Sequence, residues 1–235
     1  MARIKIYYHQ FIGDLFDDNR SPFDLENVGL EPVPYIAEFS KDKMYYECPA
    51  WSHKTSRTYN ILCPVDMDYT ILDDGRIVSR SLPQTLLDNF VAPNSSAETL
   101  QVHLPRFLFW TNHKNLWMES KPYPYTASTN NLVSVGGWWN LSAWTRPLSF
   151  AFDVVDPTKP VVINRGDPVL QVCFYSKNLN DSFELIKKQP PPSLVKETYK
   201  RTLVKNFLLR HTNQLIFKDQ PSKCPFYFLF KNART

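Results

Sequence analysis

Glycine is scarce, with 6 residues in 235. Collagen-like repeats are excluded, and no glycine-rich loop exists that could cradle a phosphate. Turns must therefore be set by other residues, and the 19 prolines, with asparagine, supply them. Cysteine is nearly as rare. Cys48, Cys63, Cys173 and Cys224 lie far apart with no C-x-x-C pair, so neither a zinc knuckle nor a redox dithiol is spelled out. No stretch approaches eighteen apolar residues, and the opening Met-Ala-Arg-Ile-Lys-Ile-Tyr-Tyr has no apolar h-region. Neither a membrane span nor secretion by a signal peptide is expected, and the thiols are expected to stay free in a reducing cytoplasm. No fixed-period repeat is visible, which removes the main support for solenoids and propellers.

Apolar and aromatic surface, by contrast, is plentiful. Hydrophobic residues make up 43% of the chain and include 16 Phe, 12 Tyr and 6 Trp, while charged residues make up 21%. Such a chain can bury a core, so disorder is excluded. The net charge of +4 hides an asymmetry. Residues 193–235 hold nine Lys or Arg against Glu197 and Asp219, leaving residues 1–192 mildly acidic. The basic segment suits an acidic surface, whether nucleic acid or another protein, and equally suits a solvated helix face.

Periodicity assigns most of the body to short strands. Ile4 and Ile6 alternate with charged neighbours over 3–8, while residues 9–57 read as loops with brief extended pieces. Residues 68–79 form a hairpin around Asp73-Asp74-Gly75. Residues 81–98 hold one short helical turn, and apolar runs at 100–104 and 106–110 are separated by Pro105. Further runs follow at 131–135 and 161–163. Leu148, Phe150, Phe152 and Val154 face one side of a half-buried strand, and 169–175 is apolar enough to be covered on both faces. After the Gln189-Pro-Pro-Pro192 connector the period changes. Ser193 is placed as an N-cap, and apolar residues recur at three and four positions over 193–211, with Lys196, Lys200, Arg201, Lys205 and Arg210 on the remaining surface. The last apolar run, Cys224 to Phe230, requires cover. The reading is thus a mainly β fold: an antiparallel β-sandwich, jelly-roll or β-clip-like body over 1–189. A basic amphipathic helix plus an apolar strand over 193–235 packs on the body or a partner.

Chemistry is sparsely signalled. His9, His53, His103, His113 and His211 form no H-x-H, H-x-D or H-E-x-x-H pattern, and His103 and His113 would need a distant acid to bind metal. There is no G-x-S-x-G elbow. Asp66 and Asp68 share a strand face, suited to a cation or to exposure at an edge. Arg165-Gly166-Asp167 reads as a turn. The densest constellation is Gly136-Gly137-Trp138-Trp139 with Trp144 and Arg146. It suits either a stacking platform for a sugar, a base or a partner side chain, with Asp167 near it, or a filled β core. No catalytic residue, cofactor or metal is assigned.

The segments Cys48-Pro-Ala-Trp51, Cys63-Pro-Val-Asp66, Asn131 to Trp138, Trp144-Thr-Arg-Pro-Leu148 and Arg165-Gly-Asp-Pro168 resemble uncharacterised proteins of tailed phages of marine cyanobacteria. The resemblance runs over roughly residues 44–186. It implies a viral protein acting in the host cytoplasm or the virion. Ile163 to Phe174, a strand, a glycine-aspartate turn and a strand containing Gln171, is similar to the closing element of the β-clip of dUTPases and dCTP deaminases. No match to that family's catalytic acid or uracil-binding Tyr is found, so the likeness bears on fold. The expected function is a non-enzymatic phage module that self-assembles or binds a viral or host protein, with nucleic acid as a further partner for the tail. The alternative is a nucleotide- or metabolite-binding enzyme of β-clip or jelly-roll type.

Overall fold

The computed structural model describes residues 2–11, 30–38, 47–84, 87, 91–93, 99–143, 145 and 147–198. The fold is mainly β. In chain order the strands are β1 (Arg3–Phe11), β2 (Val33–Pro34), β3 (Thr58–Leu62), β4 (Met67–Ile71), β5 (Ile77–Val78), β6 (Val91–Pro93) and β7 (Thr99–Trp110). They continue with β8 (Trp117–Pro122), β9 (Leu132–Val135), β10 (Gly137–Asn140), β11 (Pro147–Val154), β12 (Val161–Ile163), β13 (Pro168–Tyr175) and β14 (Ser182–Lys187). Between them lie the short helices α1 (Pro49–Thr55) and α2 (Thr126–Thr129) and the 3-10 turn Tyr35–Glu38.

Three sheets result. The first runs β14-β1-β7-β11-β9 with β6 also on β7, the second β10-β8-β13-β3-β2, and the third β12-β4-β5. Pairing is antiparallel except between β1 and β14, which lie parallel and bring the two ends of the described body together. Side-chain alternation sends aromatics from the first two sheets into a common core, where Phe109 meets Phe174 at 5.9 Å and Phe174 meets Tyr59 at 6.0 Å. Ser134 Oγ donates to Val169 O at 2.5 Å, pinning β9 of the first sheet to β13 of the second. Tyr69 of the third sheet stacks on Phe152 of the first at 6.3 Å.

The expected central strand is β13, flanked by β8 and β3 and buried at every residue from Val169 to Phe174. The hairpin at Asp73-Asp74-Gly75 forms with Gly75 at φ 79°, the left-handed value that glycine adopts without strain. Three expectations are corrected. The runs on either side of Pro105 form one strand, because Pro105 falls where the β7–β11 register shifts between Leu148 and Phe150, and no ladder bond is demanded of it there. The stretch 9–57 contains α1, which starts on Pro49. Finally, helix begins at residue 192, ahead of Ser193, because proline is tolerated in a first turn. The remainder of the expected amphipathic helix, with Lys200, Arg201, Lys205 and Arg210, and the run Cys224 to Phe230 lie outside the described residues.

Candidate functional site

The chemistry-bearing surface is the outer face of the second sheet, where β10, β8 and β13 lie side by side. Trp138 is opposite Glu119, Trp139 opposite Met118, and Tyr175 opposite Trp117. Strand alternation separates the two consecutive tryptophans: Trp139 is 5% exposed in the core and Trp138 is 57% exposed. The Trp138 ring stacks on Tyr175 at 5.8 Å with 30° between planes, and Trp117 meets it edge-on at 5.6 Å and 89°. Such offset and perpendicular contacts fix a ring's orientation before any ligand arrives. The Tyr175 hydroxyl donates to Glu119 Oε2 at 2.6 Å. Burial pushes the Tyr175 pKa up, with Cys173 and Glu119 adding to it, so the phenol keeps its proton at neutral pH. Lys121 shares this face, two residues beyond Glu119 on β8.

Gly136 is the corner from β9 into β10. A Cβ there would stand 2.6 Å from Ser120 O, so the approach of the two backbones requires glycine. Gly137 has only ordinary room above Trp139.

The other expected binding residues are placed as follows. Trp144 and Arg146 lie outside the described residues. Asp167 sits in the turn before β13, where its carboxylate accepts from Asn164 N at 2.8 Å and from Asn130 Nδ2 at 3.3 Å. From Trp138, whose row crosses β13 at Cys173, it is about 20 Å away along the strand, so the structure does not bring the two together. Lys196 is exposed. Asp66 accepts from Arg165 N, and Asp68 accepts from the amides of Arg80 and Ser81 and the hydroxyls of Ser79 and Ser81. Burial alone would raise the Asp68 pKa, but these bonds hold it well below the usual range. Both acids are thus engaged in fastening loops. His113 is exposed, and among the described residues no three His, Cys, Asp or Glu come together as a metal site.

Trp117, Glu119, Lys121 and Tyr175 were not anticipated. The alternation of Trp117-Met118-Glu119-Ser120-Lys121, where Met118 and Ser120 point inward, groups Trp117, Glu119 and Lys121 on one face, but the face and the neighbouring Tyr175 follow only from the register with β13. A concavity of about 460 Å³ lies where the end of β7 meets residues 188–198, lined by Tyr7, Trp110, Asn112, Ser142, Lys188 and Gln189 among others. The Lys188 ammonium stands 4.9 Å from the centre of the Tyr7 ring. Elsewhere a cation is structural: Arg57, 4% exposed, lies 5.2 Å over Phe183 and donates through Nη2 to the carbonyls of Leu179 and Asp181.

No family model matches the chain, and no curated protein matches it. Among solved structures it is similar to phage dUTPases. A dUTPase of Staphylococcus bacteriophage 80alpha is 8% identical with a TM-score of 0.32, over 60% of this chain and 85% of that one. The dUTPase of phage phi11 of S. aureus is 11% identical with a TM-score of 0.33, over 60% of this chain and 88% of that one. This is a faint likeness of fold and transfers no residue role.

Proposed function

We propose that the protein is a non-enzymatic phage module that works by association, principally with a second copy of itself, through the apolar side chains that β9 exposes. The observation that carries this reading is Val133 and Val135, 38% and 48% exposed on one side of a strand in which no residue of Leu132-Val-Ser-Val135 is charged. Leu132 and Ser134, which alternate with them, are buried, so the strand offers side chains rather than free backbone groups. Apposition of two such faces would bury the valines of each copy against those of the other. The basic end segment supplies a second contact, to protein or nucleic acid; contact with nucleic acid would show as an affinity falling steeply with salt.

The test is the solution mass of the full chain. The wild type is expected at twice the chain mass and Val135→Lys at the chain mass, with folding little changed because the site is on the surface. A wild type that stays monomeric at tens of micromolar overturns self-association.

The alternative is a nucleotide- or metabolite-binding enzyme; of its two ligand classes, the Trp138 platform supports the metabolite.

A further inference from the structure

From the chemistry around Trp138 we infer that the outer face of the second sheet is a binding site for a neutral saccharide, with one pyranose ring stacked on the indole. The inference is independent of the β9 valines. Three observations select the ligand. First, the indole is contacted by two rings, Tyr175 stacked on it and Trp117 perpendicular to it, yet remains 57% exposed. A preset, electron-rich ring face attracts the weakly positive C–H face of a sugar without the cost of ordering a side chain. Secondly, the platform is bordered by groups that suit hydroxyls. Glu119 is cross-strand from Trp138, and Lys121 and Trp117 are its diagonal neighbours, about 7–8 Å away between backbones. Glu119 Oε2 is held at 2.6 Å by Tyr175, which orients the carboxylate as an acceptor for a sugar hydroxyl, while Lys121 is a donor of opposite charge.

Thirdly, the same groups disfavour other ligands. An anion such as a nucleotide phosphate would meet the Glu119 carboxylate beside the ring. A cation would meet Lys121, and the spacings of 5.6 and 5.8 Å leave no cage between the rings to enclose one. A purely apolar partner would strip water from both charges. A ring with one apolar face and a hydroxyl rim satisfies every element present. Single-ring stacking implies weak binding, on the order of millimolar for a ligand of about a dozen heavy atoms.

The experiment is calorimetric titration of the full chain with maltotriose, cellotriose and tri-N-acetylchitotriose, with adenosine monophosphate and an arginine-rich peptide run alongside. Saturable heat from at least one neutral trisaccharide is expected. Trp138→Ala should weaken it at least tenfold while thermal stability is retained, and Glu119→Gln, which keeps the stacking face, should weaken it about threefold. Absence of heat from all three saccharides, binding unaltered in Trp138→Ala, or tighter binding of the nucleotide or peptide than of any saccharide would each overturn the inference.

Discussion

Gly136 shows how far one missing side chain can shape a surface. It lets β9 turn directly into β10 against the backbone of β8, and so sets the register that sends Trp138 out and Trp139 in. Gly136→Ala puts a methyl group 2.6 Å from a carbonyl that cannot swing aside. A loss of about 1–3 kcal/mol in denaturant unfolding is expected, as for other overpacked positions. Acid stability is also decided residue by residue. Burial, with the Lys187 charge adding, lowers the His9 pKa, so the unfolded chain takes up that proton more readily than the folded one. Stability from this source is complete above pH of about 6.5 and falls as pH drops through it. Asp181 is held low by the Ala2 amide and Ser176, and Asp68 by its serine loop, so their contributions are present above about pH 4 and lost below it. Thermal midpoints from pH 8 to 3 should fall in two stages, and His9→Gln should remove the upper one.

Among elements, those with a single dominant signal were readable from sequence. In β11, alternation placed Leu148, Phe152 and Val154 inside, and in β13 a run apolar but for Gln171 marked the strand with neighbours on both sides. The Asp-Gly pair marked the β4–β5 hairpin. Elements with mixed signals were not legible. Helix α1 has seven residues, proline in its first turn and no side-chain cap, so nothing distinguishes it from a loop. In β8, Glu119 and Lys121 sit among aromatics, and without knowledge of its partners the alternation had no face to be referred to. The same strand holds half of the saccharide platform. Trp138 was legible as unusual; that its partners are Tyr175 and Glu119, rather than Asp167, follows from cross-strand register, which a single sequence does not specify. Within β13, Phe174 contacts Tyr59, Phe109 and Phe183 and is fully buried, so Phe174→Ala is expected to cost about 3–5 kcal/mol in unfolding free energy.

At the scale of the molecule, three of the exposed apolar side chains lie close together in sequence. β9 and β10 are consecutive strands, each at the edge of a different sheet, and they carry Val133, Val135 and Trp138 among the most exposed apolar side chains. The sequence announced a β body in need of partners but pointed to the basic end segment, whereas the proposed contacts lie in the middle of the chain. The two proposals use different chemistry, apolar side-chain contact at β9 and ring stacking on β10, and fail separately.

The account is tested most directly by sedimentation velocity of the full chain as its concentration is raised. If the exposed valines of β9 meet across two copies, the sedimentation coefficient rises toward that of a dimer in the wild type and stays at that of a monomer in Val135→Lys. A coefficient that stays at the monomer value at every concentration in both proteins would contradict it.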